Sequence, residues 1–419
     1  METDKSIPFT MSIRWSQVDS FPGNSSSTAT TEQRSCPICG GDRSRTVLQF
    51  DQFQFYSDSR ELPKRTDVRE VQCLDCFALY LNPCYSEYGF RVLFAEAGCS
   101  YGSTAGRPFE QIEWLTSRGM LRSGSRFLDA GCYDGGFLAK LPEDLKKIGV
   151  DIDEPAIERG RQALRGKGVE FILGDFESFR YDKSLDVITM FHVLEHLPRP
   201  VPILRNLRSM AHPETRLVVE VPVLENGVTN DINGFFSVQH MTHFSRASLQ
   251  NCLASAGWKI QESQQQEQYN GFRVVAIPGV PVRAAESDVQ ATSLLHTYLA
   301  GWYGALNKAE VRLSELRDKG RCFIWGGGLH TEFLYQTTSF FCGRPDREYV
   351  IVDSDPMKRG KSWRGIEIHS PDVLRDVSCS TECLLVSSYG SHPSIVNAAK
   401  ELGLSPDRIS TLYDVVRVY

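Results

Sequence analysis

No run of about 18 consecutive apolar residues occurs anywhere in the 419-residue chain, so no membrane-crossing helix is expected. The basic n-region and apolar h-region of a secretory signal are also missing. Met1 is followed by Glu2, Asp4 and a Ser25-Ser26-Ser27 run, which reads as a flexible tail over residues 1–34 of a cytoplasmic protein. An excess of positive charge is lacking too: 46 Lys and Arg against 52 Asp and Glu leave a net −6, and no Lys/Arg stripe is present. That removes the electrostatic basis for nucleic acid or an anionic membrane as the main partner and leaves a small molecule. Apolar residues are in ordinary supply: at 41% hydrophobic and 23% charged the chain can fill cores, and its length predicts two to three domains.

Cysteine is plentiful, and 12 of them in a reducing compartment call for an explanation other than disulfides. Cys36-Pro37-Ile38-Cys39-Gly40 and Cys73-Leu74-Asp75-Cys76 are two CxxC pairs, separated by a spacer that holds apparent strands at Thr46–Phe50 and Val68–Val71. Two residues between cysteines let a tight turn aim both sulfurs at one tetrahedral ion, so Cys36, Cys39, Cys73 and Cys76 predict a Zn2+ site within a domain over residues 35–100. Four thiolates leave no coordination position open, which makes the zinc structural. Gly40 permits the close approach after the first pair, whereas the second pair has Phe77. Reduced cysteines packed as small hydrophobes are the plainer alternative.

The next signal starts at Arg126, where Phe127-Leu128-Asp129-Ala130 runs into Gly131-Cys132-Tyr133-Asp134-Gly135-Gly136 and an apolar helix start. This is the first strand, turn and helix of a doubly wound sheet, and ligand binds at such a turn. Gly131 and Gly135 let the backbone approach it, while the acid at Asp129 disfavours a pyrophosphate and suits a cationic cofactor. A second strand ends at Asp151, about 20 residues on, where a carboxylate meets ribose hydroxyls. Asp153 caps the next helix. A third strand, Val169–Leu173, leads to Gly174-Asp175-Phe176, a carboxylate and an aromatic face for an adenine ring. A fourth, Leu185–Met190, runs into Phe191-His192-Val193-Leu194-Glu195-His196, a formal HxxEH match. A zinc peptidase would need both histidines on one helix face, and this place in a β/α series favours a helix start lining a cofactor cleft instead.

The segments "FLDAGCYDGGFLAKL", "GVDIDEPAIERGR", "GDFESF" and "DVITMFHVLEHLPRP" resemble the successive motifs of class I S-adenosylmethionine-dependent methyltransferases, over Met120 to Pro278. The whole chain is similar to a narrower group, the three-part methyltransferases typified by sugar C-methyltransferases of deoxysugar biosynthesis. The resemblance implies an α/β fold: a small N-terminal four-Cys zinc domain, a methyltransferase core over residues 101–285, and a helical connector with a C-terminal Rossmann-like domain over 286–419. It implies S-adenosylmethionine as cofactor, held by Asp129, Gly131, Tyr133, Gly135, Asp151, Ile152, Asp175, Phe176 and His192, with Tyr133 standing where many relatives have glycine.

The implied reaction is C-methylation of a nucleotide-linked keto-deoxysugar. In the resembling enzymes a His in a "Tyr-x-Glu-His" segment is the candidate base, and here that segment is Ser237-Val238-Gln239-His240. His240 keeps the base, Ser237 and Gln239 replace the tyrosine and glutamate, and His243 is a substitute donor. Gln239 brings no charge to raise the imidazole's basicity, although an unperturbed histidine still works as a base at neutral pH. Both histidines have an alternative as polar core residues near Phe235 and Phe236. Arg273, in Asn270-Gly271-Phe272-Arg273, pairs with a substrate phosphate or carboxylate or else forms a salt bridge in its strand. O- or N-methylation of another small natural-product intermediate is the alternative reaction.

Downstream, Asp288–Leu316 has a helical pattern. Cys322-Phe323-Ile324-Trp325-Gly326-Gly327-Gly328 reads as a second strand and glycine turn, followed by the strand Tyr349–Val352 ending in Asp353. Either that turn cradles a substrate phosphate through backbone N–H groups, or the domain only docks on the core.

Overall fold

The computed structural model describes residues 30–58, 64–94, 106–265, 271–282, 289–317, 320–342, 348–376 and 382–416. Most of the expected tail (1–29) lies outside them, as do Cys99, Asn270, Asp288 and Cys379.

The first part of the chain forms strands Thr31–Glu32 (β1), Ser44–Gln54 (β2), Arg65–Cys73 (β3), Leu79–Leu81 (β4) and Cys84–Tyr85 (β5), then helix Glu87–Leu93 (α1). β2, β3 and β4 make an antiparallel sheet, and the strands expected at Thr46–Phe50 and Val68–Val71 lie within β2 and β3.

Helix Arg107–Ser117 (α2) opens the central part. Strands Arg126–Ala130 (β6) and Lys146–Asp151 (β7), helix Glu154–Ala163 (α3), strands Val169–Leu173 (β8) and Leu185–Phe191 (β9), helix Pro200–Ser209 (α4) and strand Ala211–Pro222 (β10) follow. A two-residue strand Thr242–His243 (β11), helix Arg246–Ser255 (α5) and strands Trp258–Gln265 (β12) and Gly271–Pro278 (β13) complete it. Seven of these strands form one sheet in the order β12-β13-β10-β9-β6-β7-β8. β8, β7, β6, β9 and β10 are parallel, and β13 runs antiparallel beside β10. The order reverses at β6, which pairs with both β7 and β9, the place at whose carboxyl ends doubly wound sheets bind ligand.

The strands of this sheet are apolar along their length because both faces are covered. Leu128 and Ala130 pack with Leu204, Leu207, Leu249 and Leu253 on one face, and Phe127 packs with Trp114, Leu115 and Leu138 on the other. Asp153 caps α3, accepting from the Ala156 N–H at 2.9 Å, with Pro155 in the first turn.

After helix Val289–Arg317 (α6), the last part alternates strand Cys322–Trp325 (β14), helix Leu329–Thr337 (α7), and strands Tyr349–Val352 (β15), Ser362–Trp363 (β16), Ile366–His369 (β17) and Cys383–Val386 (β18). Helix His392–Glu401 (α8) and strand Ile409–Ser410 (β19) end it. Its sheet order is β16-β17-β15-β14-β18-β19, parallel from β17 to β19.

These parts share one core. Phe50, Phe53 and Phe55, the loop side chains Leu224, Phe236 and Met241, Leu295, Trp302 and Leu313 of α6, and Ile324 and Ile351 of the last sheet form a single buried cluster. At about 1.5–3 kcal/mol for each large side chain fully buried, this cluster fixes α6 and the loop after β10 against both flanking sheets. Gly234, at φ +65°, lies so close to the Tyr298 hydroxyl that a Cβ would sit 2.4 Å from it. No helix among the described residues is long and apolar enough to cross a membrane.

Candidate active site

The turn after β6 is built on left-handed backbone: Gly131 has φ +86°, Tyr133 +50° and Gly135 +77°. A Cβ at Gly131 would lie 2.4 Å from Val193, and one at Gly135 2.5 Å from Phe171, so packing as well as conformation demands glycine there. Tyr133 tolerates the same region, and its ring faces Arg159 of α3, whose guanidinium bonds the phenol oxygen at 3.0 Å. Asp151, at the end of β7, ties the turn down: one carboxylate oxygen accepts from the Tyr133 N–H at 2.8 Å, the other from the Asp153 N–H at 2.9 Å. Burial raises its pKa against those two hydrogen bonds. Asp129, buried at the end of β6, accepts from the Thr189 hydroxyl at 2.8 Å. Burial lifts its pKa to about 7; the Thr189 bond opposes the rise and the Asp151 charge adds to it. Two carboxylates thus face one glycine turn.

Ile152 is 54% exposed beside Asp151, an apolar surface at the same edge. Asp175 and Phe176 are placed otherwise than the sequence implied. The Asp175 carboxylate caps its own turn, accepting from the Glu177 and Ser178 N–H groups at 2.8 Å each, and the Ser178 hydroxyl bond leads the causes holding its pKa below the ordinary range. The Phe176 ring is buried in the cluster with Leu194 and Leu204, so it offers no open aromatic face.

At the end of β9 the chain turns sharply. His192 takes φ +55°, and only Leu194–His196 forms a single 3₁₀ turn. The helix that a zinc-peptidase reading of His192 and His196 needs is therefore absent. The His192 ring lies between Glu220 (3.1 Å) and Glu195 (3.3 Å); burial lowers its pKa, and the two carboxylates more than reverse this, to about 9. Glu220 in turn bonds the Arg273 guanidinium, whose other side meets both oxygens of Glu110 at 3.1 and 2.7 Å. Arg273 is buried against the Trp114 and Phe191 rings. The strand salt bridge is thus the arrangement present, and Arg273 is not presented as a cation to a substrate.

The segment Ser237–His243 is held by the N-terminal sheet. Thr242 and His243 add an antiparallel edge to β4, opposite Tyr80 and Leu79. The Tyr85 hydroxyl donates to the Val238 carbonyl at 2.6 Å, and Gln239 bonds the Tyr56 hydroxyl through its side-chain amide. Ser237 forms the turn before His240, its carbonyl accepting from the His240 N–H at 2.9 Å. His243 is buried, with Nε2 2.9 Å from Glu70 Oε2 and its ring against Phe235 and Phe236. It is the polar core histidine of the alternative reading and does not reach the cleft. His240 is half-buried, with its ring 4.8 Å from that of His196. Burial, then the neighbouring His196, His243 and His192, keep its pKa well below the ordinary histidine value.

One residue at this site was not singled out from the sequence: Glu220. Glu195 and His196 lie in the HxxEH match, for which the peptidase reading was set aside in favour of a helix start lining a cleft; the segment forms a single 3₁₀ turn instead. Glu195, His196 and His240 bring one ligand atom each within 4.8 Å of one another.

The four cysteines of the N-terminal part converge. Cys36 and Cys76 sulfurs are 3.6 Å apart, Cys39 and Cys73 sulfurs 3.7 Å, and all four lie within 4.8 Å. A tetrahedron of sulfurs about 2.3 Å from a central ion has edges near 3.8 Å, so the spacing fits zinc. The Gly41 and Asp75 N–H groups each approach a sulfur at 3.4 Å, and Gly40 (φ +77°) and Phe77 (φ +61°) occupy equivalent places in the two loops. Phe77 adopts there, at a cost of about 1 kcal/mol, the conformation that Gly40 takes freely.

Residues 108–263 match the family model described as a methyltransferase domain. Among curated proteins, the chain is 29% identical over 109 residues to a ubiquinone biosynthesis O-methyltransferase of Thiobacillus denitrificans, covering 25% of this chain and 46% of that protein. It is 33% identical over 108 residues to a mitochondrial ubiquinone biosynthesis O-methyltransferase of Schizosaccharomyces pombe, covering 23% and 38%. The chain spans less than half the length of these relatives. Among solved structures, it is similar to a SAM-dependent methyltransferase from Aquifex aeolicus at 20% identity and a TM-score of 0.36, covering 42% of this chain and 94% of that one. It is also similar to magnesium protoporphyrin IX methyltransferase from Synechocystis PCC 6803 with bound SAH, at 19% and 0.34, covering 41% and 82%. Over residues 108–263 the chain is thus similar to a methyltransferase domain.

Proposed function

We propose that this chain methylates a small molecule in the crevice at the carboxyl ends of β6, β7, β9 and β10. The observation that carries the reading is Asp151: each of its oxygens takes one backbone N–H and keeps acceptor capacity for a ribose hydroxyl. Exposed Ile152 offers an apolar surface beside it for an adenine ring, and Asp129 supplies a negative group for a cationic ligand. This donor set fits S-adenosylmethionine, which when bound supplies a methyl group on a sulfonium, open to in-line attack.

For the acceptor, the leading reading is a nucleotide-linked keto-deoxysugar methylated at the carbon beside its ketone. His240 is the base in this reading: its depressed pKa keeps the imidazole neutral at pH 7, with a lone pair to accept the proton. A zinc ion on Cys36, Cys39, Cys73 and Cys76 is part of the proposal as a cross-link of the N-terminal sheet, which anchors the segment carrying His240. The cytoplasm, where thiols stay reduced, is the proposed compartment.

A second reading, O-methylation, is favoured by a different observation: His240 is grouped with Glu195 and His196, and the similar curated proteins are named as O-methyltransferases. The test is mass-spectrometric. Protein, S-adenosylmethionine and a panel of nucleotide-linked 4-keto-deoxysugars are incubated in deuterated water, scoring methyl gain and deuterium uptake beside the ketone. Both together establish carbon methylation; methyl gain without exchange on hydroxylated acceptors replaces it with the second reading.

A further inference from the structure

Glu195 is 1% exposed; its carboxylate lies 3.3 Å from the His192 ring, which it shares with Glu220, and neither oxygen has a further hydrogen-bond partner among the described residues. A buried carboxylate that shares one imidazole with a second carboxylate keeps lone pairs open to a further cation. Two imidazoles are within reach: one ligand atom each from Glu195, His196 and His240 lie within 4.8 Å of one another. The His196 ring is already oriented for ligation. Its Nδ1 lies 3.0 Å from the Gln239 carbonyl, which only accepts, so the proton sits on Nδ1 and the Nε2 lone pair is left to bind. The backbone closes the group, since the Met241 N–H donates to the Glu195 carbonyl at 2.8 Å.

We infer that Glu195, His196 and His240 form a site for one divalent first-row transition ion, at the cleft and separate from the four-cysteine cluster. Two imidazoles and one carboxylate match zinc, iron or manganese and not magnesium, which demands a near-complete oxygen shell. Three protein ligands leave positions open, and His196 and His240 are only half-buried, so the site is not sealed from an incoming ligand. The use of the ion deepens the O-methylation reading and rests on it: the acceptor class is a molecule with an acidic hydroxyl that binds as an oxygen ligand. On the ion its hydroxyl loses the proton to solvent. The acceptor oxygen then forms the bond to the methyl carbon as the carbon–sulfur bond breaks, whose electron pair stays on sulfur. His240 is then a ligand and not the base.

The test uses the full chain with its structural zinc retained and Mn2+ as probe, since manganese competes poorly for thiolates. Electron paramagnetic resonance of free Mn2+ should show one ion taken up per chain and released by added Zn2+. Glu195→Gln and His240→Asn should each weaken uptake at least about tenfold. Because Glu195→Gln alters a buried group, the half-buried His240→Asn keeps the test decisive if the first variant fails to fold. A full free-Mn2+ signal at millimolar ion, or variants that bind as the parent does, overturns the site. Calorimetry with S-adenosylmethionine runs on the same protein: cofactor binding without Mn2+ uptake sinks the metal site alone, and Mn2+ uptake without cofactor binding sinks the methyl-transfer reading and leaves the site.

Discussion

His243 and Glu70 give the sharpest test of how the N-terminal sheet and the methyltransferase core hold each other. Their side chains are 0% and 1% exposed, 2.9 Å apart, and the second atoms of the pair, His243 Nδ1 and Glu70 Oε1, have no hydrogen-bond partner. Removing one partner strands the other in an apolar wall of Phe235 and Phe236, and breaking a buried pair from one side costs about 3–5 kcal/mol. Against a total stability of 5–15 kcal/mol typical of proteins, Glu70→Met or His243→Leu alone should move the urea midpoint far to the left. The double variant removes both polar groups and the unsatisfied atoms with them, so it should recover most of the loss. Urea denaturation read by tryptophan fluorescence gives the cycle, with S-adenosylmethionine affinity as a control that should stay within twofold in His243→Leu. Additive losses in the double variant, or a His243→Leu protein of full stability that has lost methyl transfer, would refute the argument and return His243 to the chemistry.

Asp151→Ala removes two hydrogen bonds to ribose, each worth about 1.5 kcal/mol, and should lower cofactor affinity about a hundredfold by calorimetry; an unchanged Kd discards the ribose assignment. Asp129 is an acid whose folded pKa, about 7, lies above its unfolded value, so folding takes up a proton and the contribution is most favourable below pH 4 and declines as pH rises through 7. A cationic cofactor favours the ionised form, so affinity should climb between pH 6 and 8 and flatten in Asp129→Asn; the same slope in the variant would place the titration elsewhere. Removing the zinc of the four cysteines with a chelator and then resupplying Mn2+ to the Glu195, His196 and His240 site should release about one zinc per chain from the thiolates and loosen the sheet that carries β11, reducing methyl transfer more than cofactor affinity. A zinc-free protein with unchanged turnover would remove the cross-link from the account.

Local patterns made the parallel sheet legible: a short apolar strand, a glycine turn, a carboxylate about 20 residues on, and a proline-led helix capped by Asp153. These act over a few residues, so sequence spacing carries them. Tyr133 is legible in the same way, because its φ of +50° shows why that position suits glycine in other chains. Asp175 and Phe176 mark where this logic ends. Both stand at the expected strand end, and the difference between lining a cleft and capping a turn is set by Ser178 and by the packing of α4, which spacing does not register.

The acceptor side was less legible for a physical reason. Its groups are far apart in the chain, and its polar balance is decided across elements: Glu70 with His243, Glu110 and Glu220 with Arg273, Tyr56 with Gln239. Read alone, Ser237-Val238-Gln239-His240 has no carboxylate and looks like a weakened base. Folded, the missing charge is present but comes from Glu195, 45 residues earlier, brought beside His240 because the turn after β9 and the segment before β11 are joined by the bond from the Met241 N–H to the Glu195 carbonyl. A glutamate next to the histidine in sequence would polarise the ring as a base; Glu195, paired with His192 and grouped with His196 and His240, is placed on the metal-site proposal to share a cation with them. On the metal-site proposal, Gln239 where the resemblance expects an acid and the buried Glu195 beside His240 serve one end, acidification of the acceptor by an ion.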